Sequence, residues 1–224
     1  MNFYNTFMIL IFLSCANIAL AFECHPTIDG DKNNYIVGYG SLMNNKSRHK
    51  TTPAAKEIYP ILVKNYERVW GKRSSVKKAT YLVIVPKKDQ KFNAVYYKVD
   101  SKEIENTDQR EKKYCRYKLS HRDISKLGNY ALKKGTYWVY ARQAKDIQKP
   151  TKSHPIIQSY VDIFISGCRE VEKDFKLKGF TKQCIKTTHI WKDDKWQNDR
   201  DNPKRDLDID IKKSTIDNAL DKHL

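Results

Sequence analysis

An α+β domain is what the sequence predicts, on three observations. Five or six strand-like segments come first. The longest amphipathic helical segment follows them. Between them the apolar period changes from two to about 3.6. That order implies a small mixed β-barrel or strongly curved sheet flanked by helices. The chain has 224 residues, enough for one sizeable domain.

Met1 to Ala21 is set apart from this domain. It carries no charged side chain, is apolar from Phe7 to Leu20 and closes in Ala19-Leu20-Ala21. A short apolar run ending in an A-x-A pattern reads as a secretory signal cleaved after Ala21, although the usual basic n-region is missing. Leu13-Ser14-Cys15 is the competing lipoprotein reading, but the apolar run continues past that cysteine. Cleavage after Ala21 leaves an exported protein with no transmembrane anchor. Residues 22–34 form a polar, turn-rich lead-in.

The domain proper spans 35–205. Tyr35-Ile36-Val37 is a buried strand. Ile58 to Val69 has strand character around Ile61-Leu62-Val63. Ala79 to Val85 is a strand stopped by Pro86. Phe92 to Val99 alternates, with Ala94, Tyr96 and Lys98 on one face and Val95, Tyr97 and Val99 on the other. Ser101 caps a short helix running through Glu103, Ile104 and Asp108. Tyr114 to Leu119 and Gly135 to Tyr140 return to strand rhythm. Ser153-His154-Pro155 reads as a cap with proline in the first turn. The helix behind it carries Ile157, Tyr160, Val161, Phe164, Ile165, Cys168 and Val171 on one stripe, with Gly179 just past its end. The tail, 206–224, is charged and holds one short helix near Ser214 to Asp221.

Cleavage of the signal leaves Cys24, Cys115, Cys168 and Cys184, which allow two disulfides in three connectivities. Cys168 and Cys184 flank one helix-to-loop segment and are paired first; Cys24 with Cys115 follows by elimination. Four buried free thiols are the alternative. No two cysteines stand at CxxC spacing, so no metal site is expected.

The formal charge of +17 comes from lysines scattered through every segment. Such a surface attracts nucleic acid, anionic lipid or acidic substrates. No run reaches five or six basic residues and no recognition motif occurs. A solvated lysine surface is therefore the reading, and no specific nucleic-acid partner is expected.

The stretch Tyr35-Ile36-Val37-Gly38-Tyr39-Gly40-Ser41-Leu42 holds the chemistry. Glycines at a strand end let backbone N–H groups face outward, and several converging amides bind carboxylate or phosphate. By spacing alone such a segment is more often just a tight turn. It is not a phosphate loop, and Met43 stands where GxGxxG needs glycine.

Gly38-Tyr39-Gly40-Ser41-Leu42 resembles the glycine-rich signature of the γ-glutamylcyclotransferase-like superfamily. The likeness continues through Ser47-Arg48 and through Tyr66-Glu67-Arg68-Val69-Trp70, with Asn65 where glycine is usual. It also takes in Asp108-Gln109-Arg110-Glu111 with Tyr114 and Arg116, Ile157 to Asp162 with Gly167-Cys168, Thr187-Thr188, and Trp196 to Pro203. Lys204 follows that proline where an aromatic residue is usual. The resemblance implies a γ-glutamylcyclotransferase-like fold and a small-molecule γ-glutamyl substrate. The implied reaction is closure to 5-oxoproline with release of the amine part.

That chemistry needs one carboxylate to take a proton from the α-amine and return it to the leaving amine, with no metal, cofactor or covalent intermediate. Glu111 is the expected catalytic residue, over Asp108, Glu105 and Glu103. Tyr39, Gly40, Ser41 and Leu42 are expected to bind substrate through loop amides and the Tyr39 phenol, with Tyr114 lining the pocket. Arg48 and Arg116 either attract the anionic substrate or pair with structural acids. Two other readings remain open here: an exported basic module that binds acidic polymers, and a relative that binds γ-glutamyl ligands without turnover.

Overall fold

The computed structural model describes residues 23–30, 32–191, 193–206, 208 and 212–224. The expected signal lies outside them. The fold is mixed α+β: a sheet with flanking helices.

The hub of the sheet is β1 (Asn34–Gly38), antiparallel to β3 (Ala79–Val99) and parallel to β6 (Thr136–Ala141). The long strand β2 (Tyr59–Ser74) pairs with β3 over most of its length. β4 (Cys115–Lys118) borders β6, and β5 (Ile124–Lys126) borders β2, giving the order β4-β6-β1-β3-β2-β5. Three two-residue strands close the edges: β7 (Ile156–Ile157) on β3, β8 (Thr188–His189) on β2 and β9 (Trp196–Gln197) on β7. The helices are α1 (Asn45–His49), α2 (Ser101–Arg110), α3 (Gln158–Asp174), α4 (Phe180–Lys186) and α5 (Lys213–His223).

Alternation along β1 divides two buried clusters. Tyr35 and Val37 join Ile61, Phe92, Tyr96 and the α3 residues Phe164 and Ile165, whereas Ile36 joins Val69, Val83, Tyr97 and Ile104 of α2. The tail helix α5 adds Ile216 and Leu220 to the first cluster. Both disulfides form in the expected pairing, Cys24–Cys115 and Cys168–Cys184.

The structure corrects several expectations. Pro86 does not stop a strand; β3 runs straight through it for 21 residues. Pro86 sits opposite Tyr66, where the β2 register shifts, in a stretch of exposed residues. A strand tolerates a missing N–H at such a bulge. The cap of α2 is Asp100, not Ser101: its carboxylate accepts the Glu103 N–H at 2.8 Å, and Glu103 reaches back to the Asp100 N–H in a capping box. Ser153 does not cap α3, which begins at Gln158 after the bridge of β7. Its N-terminal amide at Ser159 is instead held by Asp199, 2.7 Å away in space and 40 residues on in sequence. Gly179 stands at φ 84 and opens α4 rather than closing α3, which ends at Asp174.

Arg68 on β2 is fully buried. It donates to the carbonyls of Tyr39 at 3.0 Å, Asn93 at 2.8 Å and Cys184 at 2.9 Å, and to the hydroxyls of Thr187 and Thr188 at 3.1 and 2.7 Å. Phe92 and Phe164 flank its guanidinium at 5.3 and 4.9 Å. Burial pushes its pKa down to about 9, so it stays charged at neutral pH. Arg68→Leu strands these acceptors in the core and is expected to lower the unfolding free energy by about 3 kcal/mol or more. Urea unfolding with both disulfides intact measures it. A loss below about 1 kcal/mol would mean that the core does not depend on this clamp.

Candidate active site

The end of β1 turns tightly into a single 3-10 turn at Ser41–Met43, stapled by the Met43 N–H to the Gly40 carbonyl at 3.0 Å. Asn44 then caps α1, accepting the Ser47 N–H at 2.9 Å. Two glycines make this geometry possible. A Cβ on Gly40 would lie 2.8 Å from the Tyr160 hydroxyl, and one on Gly167 would lie 2.4 Å from the Asn44 nitrogen. Gly167 thus lets α3 press against the loop backbone, and Gly40 lets the Tyr160 phenol reach it.

Glu111 comes to the same place from the opposite side. It is the C-cap of α2, its N–H bonded to the Thr107 carbonyl at 2.8 Å, with φ −100 and ψ 23. Its side chain is 20% exposed and lines two adjoining cavities. The smaller recess is walled by Tyr39, Gly40, Ser41, Leu42, Tyr114 and Tyr160, among others. The larger cavity, about 230 Å³, shares Ser41, Tyr114 and Tyr160 with it. The predicted site residues Tyr39, Gly40, Ser41, Leu42, Glu111 and Tyr114 therefore all border one recess.

The competing acids are occupied or stand apart. Glu103 serves the capping box and accepts the Ala54 N–H at 3.1 Å. Asp108 takes two hydrogen bonds from Arg116, at 3.0 and 3.3 Å, and one from the Tyr140 hydroxyl at 2.6 Å. Glu105 is exposed on α2. Arg116 is thus the partner of a structural acid. Arg48, also buried, donates to the Leu42 and Met43 carbonyls at 3.3 and 3.1 Å and holds the loop.

The recess is phenolic. Tyr39 donates to the Tyr140 carbonyl at 2.7 Å and Tyr114 to the Leu82 carbonyl at 3.0 Å. Burial raises Tyr39, Tyr114 and Tyr160 above the ordinary tyrosine value, and the negative charge of Glu111 adds to it in all three. The positive charge of Arg205, and then hydrogen bonds from Ser41, offset part of the rise at Tyr160. These phenols are fixed and neutral, suited to hydrogen bonding and not to proton abstraction.

Sequence reasoning left four contributors without a role. Arg110 spans the site: its Nε lies 3.2 Å from Glu111 Oε1 and its Nη2 donates to Ser41 Oγ at 3.2 Å. Tyr160 was visible as part of the α3 stripe, but only its phenol, an odd group on an apolar face, hinted at the recess. Lys72 and Arg205 line the larger cavity from segments that pattern alone does not bring there.

Residues 36–159 match the family described as Gamma-glutamyl cyclotransferase, AIG2-like. A solved γ-glutamyl cyclotransferase is similar over 85% of this chain and 99% of its own, at 14% identity and a TM-score of 0.54, which supports the fold. A yeast structure described as a γ-glutamyl cyclotransferase specific to glutathione covers 70% of this chain and 98% of its own, at 11% identity and a TM-score of 0.43. No curated protein matches the sequence. No helix among the described residues is long and apolar enough to cross a membrane.

The buried phenols have a pH signature. Their folded pKa values lie above the 10.0 of free tyrosine. The stability they contribute is fully present below pH 10 and is lost as pH climbs from there toward the folded values. An ultraviolet titration is expected to show a late tyrosine step that coincides with unfolding, smaller in Tyr160→Phe. Ionisation of all 14 tyrosines near pH 10 with the fold intact would contradict this.

Proposed function

The chain belongs to the AIG2-like gamma-glutamyl cyclotransferase family, and on that premise we propose that it converts a γ-glutamyl compound to 5-oxoproline, releasing the amine part, with Glu111 as general base and then general acid. The observation that carries this is the meeting of one carboxylate with a strand-end loop in one recess: Glu111 opposite Gly40, Ser41 and Leu42.

The γ-glutamyl half enters the recess. The α-ammonium gives up one proton to solvent, and Glu111 removes a second as the nitrogen attacks the γ-carbonyl carbon of the same molecule. Nucleophile and electrophile share one chain, so orientation supplies much of the rate. As the ring C–N bond forms, negative charge develops on the carbonyl oxygen. Amides of the Gly40–Leu42 loop, which Arg48 and Arg68 hold by its carbonyls, would stabilise it or the substrate α-carboxylate. The bond to the leaving nitrogen then breaks, and Glu111 gives its proton to that nitrogen. Tyr39 and Tyr114 shape the wall. Arg110 holds the carboxylate and Ser41 Oγ in register.

Export is part of the same reading. The apolar start of the chain resembles a cleaved signal, and two disulfides suit an oxidising compartment.

Glu111→Gln is expected to keep the wild-type melting transition and to lower 5-oxoproline release from glutathione and from a panel of γ-glutamyl dipeptides by about a hundredfold or more. Wild-type turnover in that variant would remove Glu111 from the mechanism. Gly40→Val displaces the Tyr160 phenol and fills the recess. It is expected to abolish saturable binding of a γ-glutamyl dipeptide by calorimetry, and unchanged affinity would remove the loop from the site.

A further inference from the structure

The cavity beside Glu111 holds more positive charge than a single substrate carboxylate requires. Lys72, Arg110, Lys112, Lys113 and Arg205 all line it. Of these only Arg110 forms an ion pair among the described residues, with Glu111 itself. Lys72 Nζ rests over the rings of Tyr81 and Tyr114, at 5.5 and 5.9 Å. Arg205 lies 5.9 Å from the centroids of Tyr81 and Tyr160. Burial, then the positive charge of Lys113, lowers the pKa of Lys72; Glu111 opposes this, and Arg142 and Arg205 add to it. The cations are close enough to repel one another, and Glu111 is the one carboxylate among the described residues that lines the cavity with them.

The charge continues outward. A second cavity, of about 420 Å³, shares Arg110 and Arg205 with the first and adds Lys50, Lys77 and Lys204 against one carboxylate, Asp206. Among the described residues Lys204 Nζ donates to neutral partners, Gln197 Oε1 at 2.9 Å and the Lys78 carbonyl at 3.4 Å. Arg110 and Arg205 are thus the shared wall between two basic recesses, with Glu111 in the inner one.

We propose that the substrate is an acidic γ-glutamyl peptide whose released part carries two or more carboxylates, a γ-linked oligoglutamate being the simplest. This rests on the cyclotransferase reading above and names its substrate class. The terminal glutamyl unit cyclises at Glu111 while the following carboxylates lie along Lys113, Arg205, Lys204 and Lys77. One C–N bond forms, one breaks, and the proton taken from the α-amine leaves on the new amine. That amine is the α-amine of the next glutamyl unit, so the product released from a trimer or longer chain is a shorter substrate, and a dimer ends as free glutamate. A γ-glutamyl amine with a cationic released part meets repulsion along the same path.

The test compares kcat/KM for 5-oxoproline release from γ-linked glutamate dimer, trimer and tetramer with that from γ-glutamyl-alanine amide, whose released part bears no carboxylate. The full-length, disulfide-bonded protein is used at low and high salt. The oligoglutamates are expected to be favoured by about tenfold or more at low salt, the gap narrowing as salt screens the recess. The doubly substituted Lys77→Gln, Lys204→Gln variant is expected to lose the gain from dimer to tetramer. Both positions are in or beside surface turns, and a retained melting transition shows that folding is not at issue. Equal kcat/KM for acidic and neutral substrates at low salt, with product formed from both, overturns the proposal and leaves the cyclotransferase reading standing. So does a length dependence that survives in the variant. No product from any substrate overturns both.

Discussion

Much of the structure depends on one buried cation without a carboxylate. Arg68 has no acid partner among the described residues; its charge is balanced by the oxygens of three carbonyls, two threonine hydroxyls and the Asn93 side-chain amide. Desolvating a guanidinium is tolerable only when nearly every N–H finds an acceptor, and the flanking Phe92 and Phe164 rings add favourable electrostatics. The acceptors belong to different parts of the chain: the loop after β1, the middle of β3, the end of α4 and the start of β8. None can move far without leaving a donor unpaired in the core. The cost of burying the charge is thereby converted into positional constraint, and the residue most directly constrained is Tyr39, next to the loop that faces Glu111.

A second set of constraints meets the first at that loop. Gly167 admits the backbone of Met43 and Asn44 against α3, and Arg48 takes the Leu42 and Met43 carbonyls from beneath. On the other side, the capping box at Asp100 and Glu103 sets where α2 starts. Asp108 ties its last turn to Arg116 and Tyr140. The disulfide Cys24–Cys115 then anchors the strand that follows. Glu111 is the first residue after these ties, so its position follows from a helix fixed at both ends. Three acidic residues of α2 differ in role although their chemistry is alike. Glu103 is consumed by a cap and Asp108 by a buried arginine, whereas Glu111, the C-cap, faces the recess of the glycine-serine loop.

What the sequence showed, and what it hid, divides along the range of the interactions. β1, β6, the alternation of Phe92 to Val99, the α3 stripe and the helix near Ser214 were legible because local period determines them. The glycine-serine loop and Glu111 were legible only as an ordered set of motifs. β5, β7, β8 and β9 have two or three residues each and exist through the strands that they pair with. Pro86 argued for a break, and the bulge opposite it in β2 absorbed the missing donor. Ser153 looked like a cap because capping is usually local, and here the cap came from Asp199. Tyr160, Lys72 and Arg205 reach the site through tertiary packing, which no pattern along the chain encodes.

Asp199 links that hidden geometry to the rim of the site. One carboxylate oxygen accepts the Ser159 N–H, and the other accepts the Ser159 hydroxyl and the Lys204 N–H, at 2.7, 2.7 and 2.9 Å. Ser159 Oγ in turn accepts the Arg205 N–H at 3.2 Å. A buried acid at the start of a helix is favourable on its own, since it meets unpaired amides and the positive end of the dipole. Here the same contact fixes the backbone of Lys204 and Arg205 directly over Tyr160, the next residue of that helix. Arg200, paired to Asp162 of α3 and Asp217 of α5, holds the segment from its other end. The closing stretch of the chain therefore does two things through one set of bonds. It completes the N-terminus of the central helix, and it delivers Arg205 to the wall of the cavity where Glu111 lies and Lys204 to the adjoining one.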